Sequence, residues 1–203
     1  MEAAIPLRPE GRSPLARKRW LKPSKECKIP PGATHNIGAQ AVVIDSAAKK
    51  VLLVVEKRWT GKKFEKIWQF PGGCYDPEKD DKALIASTAA REAAEETGVV
   101  IDKESIEKAR MIAQTAFPKN QFAPALNQTY VFEASSEQIL KPQDGEIAQA
   151  KWIETDDVLA AEKSGMLDEI PLGKGIISTM KSALSGHGLQ GCLPFRLAGY
   201  SEC

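Results

Sequence analysis

The stretch REAAEETGV, residues 91–99, decides how this chain is read. Glu92, Glu95 and Glu96 stand close together, behind Arg91 and just before Gly98. The periodicity predicts a helix over 83–97, with Asp80 or Asp81 as its N-cap and Gly98 as its stop. At about 100° per residue, Leu84, Ile85, Thr88 and Ala89 share one stripe, and Glu92, Glu95 and Glu96 continue it. The other side carries Ala86, Ala90, Ala93 and Ala94, small residues that permit close packing. A solvated surface helix would instead interleave lysine and glutamate on its outer face.

Carboxylates spaced i, i+3 and i+4 repel one another and raise one another's pKa unless cations neutralise them. Arg91 is placed to pair with Glu95 at i+4, which offsets only part of the charge. A hard divalent ion, Mg²⁺ or Mn²⁺, suits the remainder, because carboxylate oxygens are its preferred ligands. On spacing alone, an exposed glutamate pair ending a helix is the alternative. The segment upstream favours the ion. FPGG (70–73) ends a short apolar run in two glycines, Gly72 and Gly73. Without Cβ atoms their backbone can approach a phosphate or a metal closely.

Working outward, IGAQAVVID (37–45) and KVLLVVEK (50–57) read as a β-hairpin closed by the polar turn 46–49. GKKFEK (61–66) reads as a charged loop and IWQF (67–70) as a short strand. Strands are expected at 110–117, 128–135 and 150–154, and helices at 155–165, capped by Thr155 or Asp156, and 174–184. Strands on both sides of one central helix imply a mixed α/β domain.

With these residues in view, the chain resembles the Nudix hydrolases. Their signature is a glycine, five residues, a glutamate, seven residues, then R-E-(bulky apolar)-x-E-E-x-G-(bulky apolar). REAAEETGV matches the second half except at Ala93, and WQFPGG and GEIAQAKWIE (145–154) also look like the family. The resemblance spans roughly 36–160 and implies an α/β/α sandwich with a mixed β-sheet between helices. The spacing departs from the signature: Glu78 follows Gly72 after five residues, but twelve rather than seven separate it from Arg91. The first signature glutamate is therefore either Glu78 on a longer loop or missing.

The resemblance implies metal-dependent hydrolysis of a pyrophosphate bond in a nucleoside diphosphate linked to another moiety, with Mg²⁺ or Mn²⁺ as cofactor. It makes Glu92 and Glu96 the principal metal ligands and Glu95 a further one, with Arg91 orienting the cluster and a carbonyl near Gly72 completing a shell. Glu146, in the loop before the 150–154 strand, is the preferred outside candidate for general base; a plain surface carboxylate is its other reading. Gly72, Gly73 and Arg58, with Lys57 beside it, are candidates for the phosphates. Trp59 and Phe122 read as loop aromatics on which a base can stack, whereas Trp68 and Trp152 read as core. The segment 116–128 reads as a long specificity loop. An RNA 5′ end is the alternative substrate, and a catalytically silent nucleotide- or protein-binding module is the reading from another class.

Composition sets the outer bounds. The chain has 203 residues and a net charge of +1, which shows no overall bias toward nucleic acid or membrane. Residues 1–34 read as a basic, proline-rich arm, 35–185 as the domain and 186–203 as a tail. The basic side chains near the N-terminus, RKRW (17–20) among them, suit an RNA contact or a nuclear import signal, although short basic runs are usually solvated. The four cysteines are scattered and there are two histidines, so neither a zinc site nor a disulfide framework is expected. No apolar run suits a membrane span. The expectation is a cytoplasmic protein, nuclear as the alternative, acting on a small nucleotide, with a homodimer left open.

Overall fold

The computed structural model describes residues 36–59, 63–76, 78–80, 84–117, 125–143 and 145–186. The arm, and the tail beyond Gly186, therefore lie outside the described residues. The chain runs β1 (Asn36–Asp45), β2 (Lys50–Trp59), β3 (Phe64–Gln69), β4 (Gly72–Cys74), α1 (Ile85–Thr97), α2 (Lys103–Glu107), β5 (Arg110–Phe117), β6 (Ala125–Glu133), β7 (Ile147–Glu154), α3 (Thr155–Ala160), β8 (Met166–Leu167), β9 (Ile170–Pro171) and α4 (Ile176–Leu184). Among the described residues, seven strands form one sheet with the central order β3-β2-β1-β6-β5; β4 also pairs with β1 and β7 with β2. The β1–β6 pair is parallel and the other pairs are antiparallel, so the sheet is mixed.

Period-2 alternation assigns each strand two faces. Ala39, Ala41, Val43 and Leu52 point to one side, where they meet Ala86, Ala89, Ala90 and Ala93 of α1 together with Val99, Ile101 and Phe132. Val42, Ile44, Val51, Leu53, Val55, Trp68 and Phe70 point to the other, against Val158 of α3 and Ile176, Met180 and Ala183 of α4. This is the expected sandwich of helices around a mixed sheet. Ala86, Ala90 and Ala93 pack as their small side chains suggested, but Ala89, read as part of the acidic stripe, packs with them and Ala94 does not join that core.

Several boundaries differ from the sequence reading. β3 takes in Phe64, Glu65 and Lys66, which read as loop, because they pair with Trp59, Arg58 and Lys57 at the solvent-exposed end of the hairpin. β6 begins at Ala125 and β7 at Ile147, since each is extended along a longer partner strand. The helix read as 155–165 ends at Ala160, and the β8–β9 hairpin follows it. That hairpin covers Trp68, whose indole N–H donates to the Leu167 carbonyl at 2.8 Å. α2 escaped notice because it is one short turn, capped by Asp102 accepting from the Ser105 N–H.

Candidate active site

α1 starts at Ile85 rather than Ala83, and its N-cap position is Leu84 in an extended conformation with no side-chain cap. Asp80 is not the cap, and Asp81 lies outside the described residues. Asp80 instead turns inward. Its carboxylate accepts from the Asp76 N–H at 2.8 Å and the Thr88 hydroxyl at 2.9 Å, and it takes Arg91 at Nε (2.7 Å) and Nη2 (3.1 Å). The loop closes on itself to allow this: the Lys79 and Asp80 N–H groups both donate to the Asp76 carbonyl. Burial works against the Asp80 charge, yet the Arg91 guanidinium, the Asp76 N–H and the Thr88 hydroxyl hold its pKa below the usual carboxylate value. Glu78 is exposed, with its N–H donating to the Asp76 carboxylate. Among the described acids of the lengthened loop, Asp80 is the one brought to Arg91.

Arg91 ties four groups together. Besides Asp80, it reaches Glu92 at 2.9 Å, Glu95 at 3.0 Å and the Cys74 carbonyl at 3.0 Å. The predicted i+4 pair with Glu95 is therefore present, as one arm of a larger network. Burial opposes the Arg91 charge, but Asp80, Glu92 and Glu95 outweigh it and raise its pKa.

The three signature carboxylates separate. Glu95 is exposed and paired with Arg91 and with Lys79 at 3.5 Å. Glu92 and Glu96 turn toward the sheet. Burial, partly offset by Arg91, pushes Glu92 up to about 7. Burial pushes Glu96 up to about 9, with repulsion from Glu92, Glu56 and Glu146 adding to it and the Gly72 N–H opposing it. That N–H donates to Glu96 Oε2 at 3.2 Å.

Both glycines are required by proximity rather than by an unusual φ. A Cβ on Gly73 would overlap the Glu92 carboxylate, 2.6 Å from Oε2, and one on Gly72 would lie 2.5 Å from the Ala39 carbonyl. β4 pairs Gly72 with Gln40 and Gly73 with Ala39, which fixes this bare backbone beside α1.

A further acid, Glu56, belongs to this region and was not singled out from the sequence. It follows Val54 on the α1-facing side of β2, opposite an irregularity in which β7 carries the extra residue Ala148. The same irregularity brings in Glu146, whose carbonyl accepts from the Lys57 N–H at 3.0 Å. The signal was present: an acid on the inward alternation of an otherwise apolar strand. Arg58 lies at the rim, bonded to Glu56 and Gln69. Trp59 is the last residue of β2, not a loop aromatic. Phe122 lies outside the described residues, and the segment read as a loop over 116–128 has strand at both of its ends. Trp68 is buried as read, and Trp152 is partly buried against the α1-side core.

The donor set fits a hard divalent cation. Glu92 and Glu96 are oxygen donors held in a crowded, largely buried pair whose charge the neighbouring arginine only partly offsets. Among the described residues, no three acidic, histidine or cysteine side chains already form a cage. Mg²⁺ needs none, since it is typically held by one or two carboxylates and completes its shell with water and substrate phosphate.

The NUDIX domain family model matches residues 34–171. The chain is 34% identical to human nucleoside diphosphate-linked moiety X motif 6 over 43% of its own length and 25% of that protein. It is 31% identical to Nudix hydrolase 7 of Arabidopsis thaliana over 66% of its length and 44% of that protein. The match thus covers a quarter to less than half of these relatives. The fold is similar to the NUDIX domain of Shewanella oneidensis NrtR complexed with ADP ribose, with a TM-score of 0.56 and 20% identity over 83% of this chain and 96% of that one. On the family match, which takes in the glycine pair, Arg91 and the acidic half of α1, the chain belongs to the Nudix family.

Proposed function

We propose that the chain hydrolyses a pyrophosphate bond in a nucleoside diphosphate linked to a second moiety, with Mg²⁺ or Mn²⁺ held by Glu92 and Glu96. The observation that carries this reading is the buried pair Glu92 and Glu96 against Gly72 and Gly73. Two carboxylates are kept out of water at a cost, beside backbone that leaves no side chain in the way of an incoming phosphate.

A divalent cation bound there neutralises phosphate charge and makes water a better nucleophile. The chain's own residues do the rest. Gly72 and Gly73 admit the diphosphate close to the backbone. Arg91, fixed by Asp80, holds the Glu92 end of α1 against β4. Glu95 supports that network and, freed from Lys79, is a further ligand. Glu146 stands at the open edge of the site, where it can accept the proton of an attacking water. Arg58 supplies positive charge at the rim for a phosphate oxygen.

The test is phosphate-product release from a panel of ADP-ribose, NADH, diadenosine polyphosphates, nucleoside triphosphates and a triphosphorylated RNA, each with and without EDTA. ADP-ribose heads the panel because the similar NrtR domain carries it. Turnover of one compound that EDTA abolishes supports the reading. A folded protein silent on the whole panel contradicts it.

A further inference from the structure

We propose that Glu56 and Gln69 are positioning residues that hold the Arg58 guanidinium ready for a phosphate oxygen of the substrate. The inference rests on the diphosphate reading given above.

The three side chains share a face by strand alternation. Val55 on β2, and Trp68 and Phe70 flanking Gln69, point into the α4-side core, so Glu56, Arg58 and Gln69 point to the side that carries α1. Val54 pairs with Gln69 across the two strands, which sets Gln69 diagonally from Glu56. The Glu56 charge is one of the lesser contributions that raise Glu96, which places this group near the acidic pair.

The hydrogen bonding is closed and directional. The Gln69 amide N–H donates to Glu56 Oε2, and the Gln69 amide oxygen accepts from Arg58 Nη2 at 3.1 Å. Arg58 Nη2 also donates to the same Glu56 Oε2 at 3.2 Å. Both ends of one amide are thus used, the donor toward an anion and the acceptor toward a cation. A carboxamide offers both side by side on one planar group, and asparagine is a methylene shorter. Glu56 is largely buried while Arg58 is half-exposed. The anchor is thus inside and the cation outside, with only Nη2 of its guanidinium engaged by these acceptors. A guanidinium presents five donors in a rigid fork, so its remaining N–H groups can meet a phosphate while Nη2 stays tethered.

The experiment pairs steady-state kinetics on the best panel substrate with calorimetric binding of inorganic pyrophosphate in Mg²⁺ buffer, on the full chain. Arg58→Ala should raise KM and weaken pyrophosphate binding by about tenfold, the loss of one charge-assisted hydrogen bond. Gln69→Ala changes no charge, yet should raise KM by about threefold, more than it lowers kcat. Glu56→Gln keeps an acceptor for Arg58 and should stay nearer wild type in KM than Glu56→Ala. Arg58→Lys restores charge without the fork and should fall between wild type and Arg58→Ala.

A Gln69→Ala variant that only melts earlier, with KM and pyrophosphate affinity unchanged, overturns the positioning role. So does Arg58→Ala binding pyrophosphate as wild type does, in a protein whose turnover Glu96→Gln abolishes; the hydrolase reading then survives alone. If instead no compound is turned over but pyrophosphate binding falls in Arg58→Ala and Gln69→Ala, the positioning role stands and the hydrolase reading fails.

Discussion

Gly73 and Asp80 show how single atoms set this site. A methyl group at Gly73 meets the end of a flexible side chain, the Glu92 carboxylate, rather than rigid backbone. Gly73→Ala should therefore fold with little loss of stability while swinging Glu92 aside. Displacements of about 1 Å cost catalysis on the order of 100-fold, and kcat/KM beside a melting curve would show that contrast. Asp80→Ala should do the reverse in part. It removes the bidentate partner of a largely buried guanidinium, and breaking such a pair costs about 3 kcal/mol; chemical denaturation measures it. Stability equal to wild type would show that Glu92, Glu95 and the Cys74 carbonyl suffice to hold Arg91. Asp80 also marks the limit of reading by spacing. The signature count failed because the loop is lengthened, and only the turn closed on Asp76 shows which acid reaches the arginine.

At the scale of elements, α1 was the most legible part of the chain because its two requirements, alanines toward the sheet and acids toward the glycine turn, leave separate marks in the sequence. Ala89 and Ala93 are fully buried against the sheet. Ala93→Leu should overpack this contact at a cost of about 1–3 kcal/mol, read as a lower denaturation midpoint. An unchanged midpoint would mean that the helix can lift from the sheet without loss. The strands were legible in kind and misjudged in extent. Hairpin ends such as Lys57, Arg58 and Glu65 are polar on both faces, so alternation gives no boundary there. Glu56 was passed over for a related reason: it sits on the inward alternation, but next to the charged residues Lys57 and Arg58 it reads as the start of the polar hairpin end. The β8–β9 hairpin has strands of two residues each, too short to leave a period.

For the whole molecule, the buried carboxylates couple folding to pH and, on the proposed reading, to divalent cations. Glu92 and Glu96 are raised in the folded chain from an ordinary value of 4.5 to about 7 and about 9. Between pH 4.5 and 9 the folded state therefore binds more protons than the unfolded one, and linkage makes stability fall as pH rises. Without divalent cations, the melting temperature should decline from pH 5 toward pH 9, against whatever the other groups contribute. Added Mg²⁺ should reverse this loss, with a larger gain at pH 8.5 than at pH 5.5, because the ion binds the deprotonated pair. Glu96→Gln should flatten both trends. A Mg²⁺ gain that is the same at both pH values would count against the pair as the cation site.

The most direct measurement compares kcat/KM of wild type and Glu96→Gln on the best substrate of the nucleotide panel, in Mg²⁺, with both proteins shown to be folded by circular dichroism. Glu96→Gln keeps size and shape and removes one ligand charge. The account predicts a loss of at least about 100-fold, the scale on which disturbed metal sites lose activity. Turnover within about threefold of wild type would place the chemistry elsewhere and contradict it.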